Sequence, residues 1–508
     1  MNVPAETAAP QQGSYRHILK ATSLLGGASA INMLVSMARA KVIALILGKA
    51  GVGVMGMYLS VSSLATSFAS LGLNYSGVRE LAEARGTGDD ERMKRTLLTF
   101  RRLTLLLAVA GTAVLTLASP WVSEASFGNG QHTVAIAVLA LTIAANLMTN
   151  YFIATIQAAG QVERVASYSV VSGVGGALVA IASFLIWRRG GIVTALVAGA
   201  AVQALLAWWF SRGAPFPAPD ADTMYSREIA SRLIQVGGLV VGIGMLSSFG
   251  HILVRAIVIR EAGEAGAGIY QSAYGLSGMY AQYILGAMGT DYLPRVSAVI
   301  SDARATFRMV NEQTAVALLL GLPGVLGTIV MAPLLIPFFY SREFGEAVPV
   351  LQLMAVGVYG RLLAWPMGFV LISRNEARAC LLLEMLYNVT QVVTLWLALP
   401  LLGMRATGVA LIVANAVFSL AYYREMAKRG MSWSREVWQA LILGVLSMVL
   451  ALATSWLLPP AWGIFTGSVL LLAVGMICLR HIASSADITA TGLVRRLQSL
   501  LRLCGGNV

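Results

Sequence analysis

Charge is scarce in this sequence. Of 508 residues only 12% are Asp, Glu, Lys or Arg, about half of the roughly 25% found in an ordinary soluble domain. With 57% apolar residues and a mean hydropathy of +0.75, that shortage excludes a water-soluble globule. Cysteine is nearly absent too. Cys380, Cys478 and Cys504 show no CxxC or Cys/His spacing, so neither a disulfide framework nor a metal site is implied, and no cofactor is expected. Enzyme signatures are missing as well: there is no phosphate-binding loop, no HExxH, no GxSxG and no polar stretch large enough to form a catalytic domain. The net charge of +13 does not argue for nucleic acid, because the lysines and arginines sit in short loops between apolar runs, where they act as a topology signal.

Apolar runs are what the chain has in abundance, each near the ~20 residues that cross a hydrocarbon core. Polar and Gly/Pro-rich breaks leave about fourteen: residues 19–47, 54–76, 103–122, 133–157, 167–187, 191–210, 234–259, 268–292, 314–336, 348–372, 379–400, 406–424, 438–457 and 463–480. The first lacks a small-residue cleavage site and reads as a retained span. With a cytoplasmic N-terminus, Arg79, Arg85, Arg92, Lys94, Arg95, Arg101 and Arg102 and most other basic residues fall on the cytoplasmic side, leaving chiefly Lys49, Arg188, Arg189, Arg260, Arg342 and Arg405 outside. Positive-inside therefore places both termini in the cytoplasm. The tail over residues 488–503 alternates leucines with Arg495, Arg496 and Arg502 and is expected to lie on the inner membrane surface.

The chain also repeats itself. GKAGVG at residues 48–53 returns as GEAGAG at 263–268, 215 positions on, and each joins two apolar runs. GLNY at 72–75 answers GTDY at 289–292, GIVTALVAGAAV from Gly191 answers GVALIVANAV from Gly408, and Arg212-Gly213 answers Arg429-Gly430, all at an offset of 217. The landmarks predict an all-α integral membrane protein of two six-helix lobes followed by two further helices. Because six is even, the lobes are parallel, related by a pseudo-twofold along the membrane normal, and such pairs enclose a path. The expected domains are an N-terminal lobe at 1–212, a cytoplasmic linker at 213–232, a C-terminal lobe at 233–430, and two extra helices with the tail at 431–508.

Polar groups inside these runs are the candidate site. An ionisable side chain near the bilayer centre costs roughly 2.5–3.5 kcal/mol on insertion scales, so such residues face a cavity or a partner. Arg361 lies deepest, about 15 Å from either end of its span at ~1.5 Å per residue. Either a wet cavity or an internal ion pair or carbonyl would hold it. Arg39 shares a helical stripe with Ser36 and Asn32, whereas Lys41 points elsewhere and snorkels. Arg255 occupies the half of its repeat that matches Arg39 and sits about one turn from the outer edge, where snorkelling competes with a cavity role. Asn146, Asn150 and Gln157 form one amide stripe, and Glu384, Asn388 and Gln391 another; these either bond helix to helix or line a wet vestibule. Glu384 and Asp291 are the acids placed to bind a coupling proton or sodium ion, unless they neutralise a neighbouring arginine.

The runs ALILGKAGVGVMGMY, SLGLNYSGVRELAEA, GAGIYQSAYGLSGMY and AMGTDYLPRVSAV resemble the Wzx-type O-antigen and lipid-linked oligosaccharide flippases, in the polysaccharide-transporter branch of the MOP superfamily. The resemblance covers roughly residues 15–430. It implies the MOP flippase fold, two six-helix bundles forming a V with two C-terminal helices, in the bacterial inner membrane. It also implies transfer of undecaprenyl-pyrophosphate-linked oligosaccharide from the cytoplasmic to the periplasmic leaflet by alternating access, no enzymatic step, and glycan polymerase machinery as a candidate partner. Under it Arg39, Arg255 and Arg361 would hold phosphate, as bidentate guanidinium donors can, with Asn32, Asn146, Asn150 and Asn388 toward the glycan. A drug or cation exporter of the same superfamily would rely on acids in the first lobe, where the spans bury essentially none. A glycan polymerase or ligase would need a substantial external loop, and the outer loops are short.

Overall fold

The computed structural model describes residues 12–213, 216, 224–374 and 376–485; the expected amphipathic tail at 488–503 and part of the 213–232 linker lie outside them. The described residues are helical, with no strand among them. In chain order the helices are α1 (Gln12–Ser70), α2 (Leu73–Thr87), α3 (Asp90–Phe127), α4 (Thr133–Leu139), α5 (Leu141–Ala158), α6 (Val162–Trp187), α7 (Gly191–Ser211), α8 (Arg227–Ser277), α9 (Met279–Ala298), α10 (Ala303–Phe339), α11 (Ala347–Ser373), α12 (Ala377–Leu402), α13 (Arg405–Ala427), α14 (Arg435–Leu457) and α15 (Pro460–Ser485).

Ten stretches among the described residues are long and apolar enough to cross a membrane. One of them, Gly26–Ser70, is 45 residues long, or about 68 Å at 1.5 Å per residue. That is twice the roughly 30 Å of a hydrocarbon core, so α1 supplies two crossings. Its break is at Gly48, whose φ of 64° and ψ of −172° belong to a region open essentially to glycine alone. The second long helix, α8, breaks in the same way at Gly263, with φ 69° and ψ −178°. The two first glycines of the repeated hexapeptides thus adopt the same rare backbone conformation. At another landmark the halves differ: Gly72 turns left-handed after Ser70, with φ 74°, whereas Gly289 stays inside α9. A Cβ at Gly72 would meet the backbone of Gly237, so the close approach of α8 requires glycine there.

Packing divides the chain into two compact units, residues up to Gly268 with Phe338–Glu343, and Ile269–Pro337 with Phe344 onward. In the first, Leu81, Met93, Leu97, Phe100, Tyr151 and Leu233 form a buried cluster beneath the basic α2–α3 corner. That corner is defined by caps: Gly88 turns left-handed, and the Asp89 side chain accepts from the Arg92 amide at 3.0 Å. In the second unit, Leu322, Leu326, Ile329, Tyr359, Leu362, Val437 and Met448 join α10, α11 and α14 in one core. Helices α11 and α13 touch through glycines: a Cβ at Gly357 would press on the backbone of Leu411 and Ile412, and one at Gly408 on Leu353. Lipid tails offer no hydrophobic gain between helices, so close van der Waals approach at small residues holds such pairs. Outward-facing Leu117, Leu401 and Leu457 are each more than four-fifths exposed, as a lipid-facing surface requires.

Candidate functional site

In the first unit, α1 carries Arg39 to the wall of a cavity of about 140 Å³, together with Ser62, Thr142, Asn146 and Gln203. Thr142 and Asn146 are one turn apart on α5, so the same face presents both. The Ser62 and Thr142 hydroxyls bond at 2.6 Å, and Asn146 Nδ2 donates to Thr66 Oγ1 at 3.4 Å. The lining contains one guanidinium and no carboxylate, and among the described residues no acid forms an ion pair with Arg39. A fixed cation beside hydroxyl and amide groups is suited to an anion.

The other expected residues of this unit are placed differently. Asn32 donates to Ser169 Oγ at 2.7 Å, while its Oδ1 is buried without a partner against Gly173; it ties α1 to α6. Asn150 is half-buried one turn beyond Asn146. Arg255 does not line the Arg39 cavity. Its Nη1 donates to the Gly56 carbonyl at 3.1 Å, so this guanidinium joins α8 to the part of α1 that follows the first hinge.

In the second unit, Arg361 on α11 remains exposed, with its guanidinium carbon 5.3 Å from the Tyr387 ring centre and 5.7 Å from that of Phe418. These aromatic faces of α12 and α13 hold a cation in place, each such contact contributing about 0.5–2 kcal/mol according to its desolvation. Glu384, Asn388 and Gln391 are all buried on α12. Asn388 turns back on its own helix, donating to the Glu384 carbonyl at 2.8 Å. Asp291 is largely exposed and pairs with Arg295 one turn on, at 3.0 Å, the neutralising arrangement that the sequence left open.

Three residues that the sequence did not single out meet at the far end of the first unit: Tyr58, His132 and Glu264. Tyr58 Oη and His132 Nδ1 lie 2.7 Å apart, and His132 Nε2 is 3.7 Å from Glu264 Oε1. Gln203, Ser62 and Thr142 were missed as well. Thr142 stands four positions before Asn146, a spacing that could have revealed it; Gln203 is a lone amide in an apolar helix, and only packing shows what it faces.

The sequence matches the family described as polysaccharide biosynthesis protein over residues 42–349, well over half of the chain. The chain belongs to the polysaccharide biosynthesis protein family. No curated protein matches it at a comparable level. Among solved structures, this family member is similar to an inward-facing multidrug resistance MATE family transporter of the MOP superfamily, with a TM-score of 0.68 and 18% identity over 78% of this chain and 94% of that one. It is also similar to the lipid II flippase MurJ in an inward closed conformation, with a TM-score of 0.65 and 10% identity over 91% of this chain and 99% of the other. A third similar structure is a MOP superfamily transporter from Pyrococcus furiosus, described as having a binding pocket of reverse polarity, with a TM-score of 0.58 and 18% identity over 81% and 95%. At these identities the likeness establishes the fold. The family member is an all-α, multi-pass integral membrane protein with a MOP transporter fold.

Proposed function

We propose that this protein is a flippase that carries a lipid-linked oligosaccharide, with undecaprenyl pyrophosphate as the carrier, from the cytoplasmic to the periplasmic leaflet of a bacterial inner membrane by alternating access. The observation that carries the reading is Arg39: a membrane-embedded guanidinium at a cavity lined by Ser62, Thr142, Asn146 and Gln203, with no carboxylate in the lining. Pyrophosphate is held by charge-assisted donors, and a sugar needs hydroxyl and amide partners. The second anion contact is assigned to Arg361, which is exposed and steadied by Tyr387 and Phe418. Asn150 and Asn388 belong to the glycan-facing set. Asn32 and Arg255 act through the helix contacts they make. Glu384, buried on α12, is the favoured coupling group for a proton or sodium ion over the ion-paired Asp291.

A drug or cation exporter is the competing reading. It would rely on acids in the first lobe, and the cavity lining there holds none. The proposed domains follow the duplication: lobes at 1–212 and 233–430, the 213–232 linker and the helices from 431 on. The deciding experiment uses purified protein in vesicles containing a fluorescent lipid-linked oligosaccharide and a sidedness probe. Leaflet transfer by the wild type and its loss in Arg39→Ala and Arg361→Ala, each still folded, is the expected result. Drug efflux without lipid transfer would replace the proposal with the exporter, and extension or hydrolysis of the glycan would replace it with an enzyme.

A further inference from the structure

The two glycine hinges are packed against each other within the first unit. A Cβ on Gly53 would run into the Glu264 carbonyl, the Gly268 amide and the Ala267 methyl, and a Cβ on Gly268 would run into the Lys49 carbonyl. Glu264 stands 215 residues after Lys49, and Gly268 stands 215 after Gly53, so the contact is reciprocal: each hinge inserts its glycine beneath the carbonyl of the other. Nearby, Arg255 holds the Gly56 carbonyl, and Arg260 holds the carbonyls of Glu124 and Ala125 at 3.0 and 2.8 Å. About 37 Å of α3 separates this end from the basic corner at Arg92–Arg102, at 1.5 Å per residue.

One group in this contact, His132, is of the kind whose charge can change between about pH 5 and 8. His132 lies in the turn between α3 and α4. Its ring is stacked on Phe127, with centres 3.8 Å apart and planes 18° apart, and its side chain is only 16% exposed. Its two nitrogens face different helices: Nδ1 toward Tyr58 of α1 at 2.7 Å, and Nε2 toward Glu264 at the α8 hinge at 3.7 Å. A neutral ring with its proton on Nε2 satisfies both neighbours, accepting from the Tyr58 hydroxyl and directing its N–H at the carboxylate. A second proton on Nδ1 removes the acceptor that the Tyr58 hydroxyl uses. The charged groups around the contact are Glu264, Lys49, Glu124, Glu261, Arg255 and Arg260. Of these, Glu264 is the carboxylate beside the ring and the charge that acts on it.

We propose that His132 is a proton-binding site that operates as a latch between the two hinges: the neutral ring holds the α8 hinge to α1, and protonation loosens that hold. Burial disfavours the imidazolium and outweighs the attraction of Glu264, so His132 lies below the usual histidine range here. A histidine whose value is depressed in the latched form leaves that form undisturbed above about pH 6.5 and weakens it as pH falls below, because the unlatched form takes up the proton first. This proposal does not draw on the identity of the transported lipid.

Hydrogen exchange of the full-length protein in nanodiscs tests it, read by mass spectrometry on peptides covering residues 48–58 and 259–268 between pH 8 and pH 5 and corrected for intrinsic exchange. In the wild type, hinge exchange is expected to accelerate several-fold on acidification, because protonation favours the unlatched form. His132→Gln keeps a donor and an acceptor but cannot titrate, and should abolish the acid step. Tyr58→Phe removes the donor to the neutral ring and should move the step to higher pH, whereas Glu264→Gln removes the stabiliser of the imidazolium and should move it to lower pH. A purely structural histidine would not give opposite shifts. An acid step that persists unchanged in His132→Gln, or exchange that slows on acidification, overturns the proposal. Should His132→Gln not fold, the wild-type, Tyr58→Phe and Glu264→Gln titrations decide it by the presence and the direction of the two shifts.

Discussion

The repeated hinge makes a quantitative prediction, because its two kinds of glycine do different work. Gly48 and Gly263 have nothing near the position a Cβ would occupy; their side-chain space is empty, and only their backbone forbids another residue. With φ near +65° and ψ near 180° at both, an alanine there is held in a region that costs of order 1–3 kcal/mol, a factor of roughly 5 to 150 in the folded-to-unfolded ratio. Gly53 and Gly268 have ordinary helical backbones but no space. An alanine at Gly53 would set its methyl against two backbone groups and the Ala267 methyl, and backbone cannot rotate away as a long side chain can. Overpacking of this kind costs typically 1–3 kcal/mol and sometimes more. Gly48→Ala and Gly263→Ala should therefore lose similar amounts, in keeping with their shared conformation, while Gly53→Ala and Gly268→Ala should lose at least as much. Gly86→Ala, in helical backbone with open space around it, should gain a few tenths of a kcal/mol from alanine's helix propensity. Reversible unfolding in mixed micelles measures all five. Losses below about 0.3 kcal/mol at both Gly48 and Gly263 would show that the break in the two long helices does not depend on glycine.

Arg39→Lys should retain part of the lipid transfer that Arg39→Ala abolishes, because the charge persists while the bidentate fork is lost; the vesicle assay reads both. Asp291→Asn should change stability by no more than about 1 kcal/mol, since its pair with Arg295 is largely exposed, and it should leave transport intact if Glu384 is the coupling group. At the end of α13, Arg429 makes two hydrogen bonds to Glu376, at 2.7 and 2.6 Å, and these hold the Glu376 carboxyl below the usual carboxylate range. Its depressed value means a contribution present above about pH 4.5 and lost as pH falls below it. Acid unfolding monitored by intrinsic fluorescence should accordingly become less steep in Glu376→Gln.

Much of this protein could be read directly from residue order. Low charge and long apolar runs settle an all-α membrane protein, because only helices and closed barrels satisfy every backbone group in lipid. The hexapeptides 215 residues apart located both helix breaks, since glycine is the residue that reaches the Gly48 and Gly263 conformation. Depth along a span singled out Arg39 and Arg361 as residues needing special surroundings, from the free energy of charge in hydrocarbon alone. Depth says nothing of direction, and here tertiary structure decided. Arg39 and Arg255 occupy matching halves of the repeat, yet one lines a cavity and the other spends a donor on the Gly56 carbonyl. The Tyr58, His132 and Glu264 contact joins residues far apart in sequence that have no shared motif or period, so only the folded chain could bring them together. Local pattern determines which segments enter the membrane; which polar groups then face one another depends on helix rotation and close packing at small residues, to which every segment contributes at once.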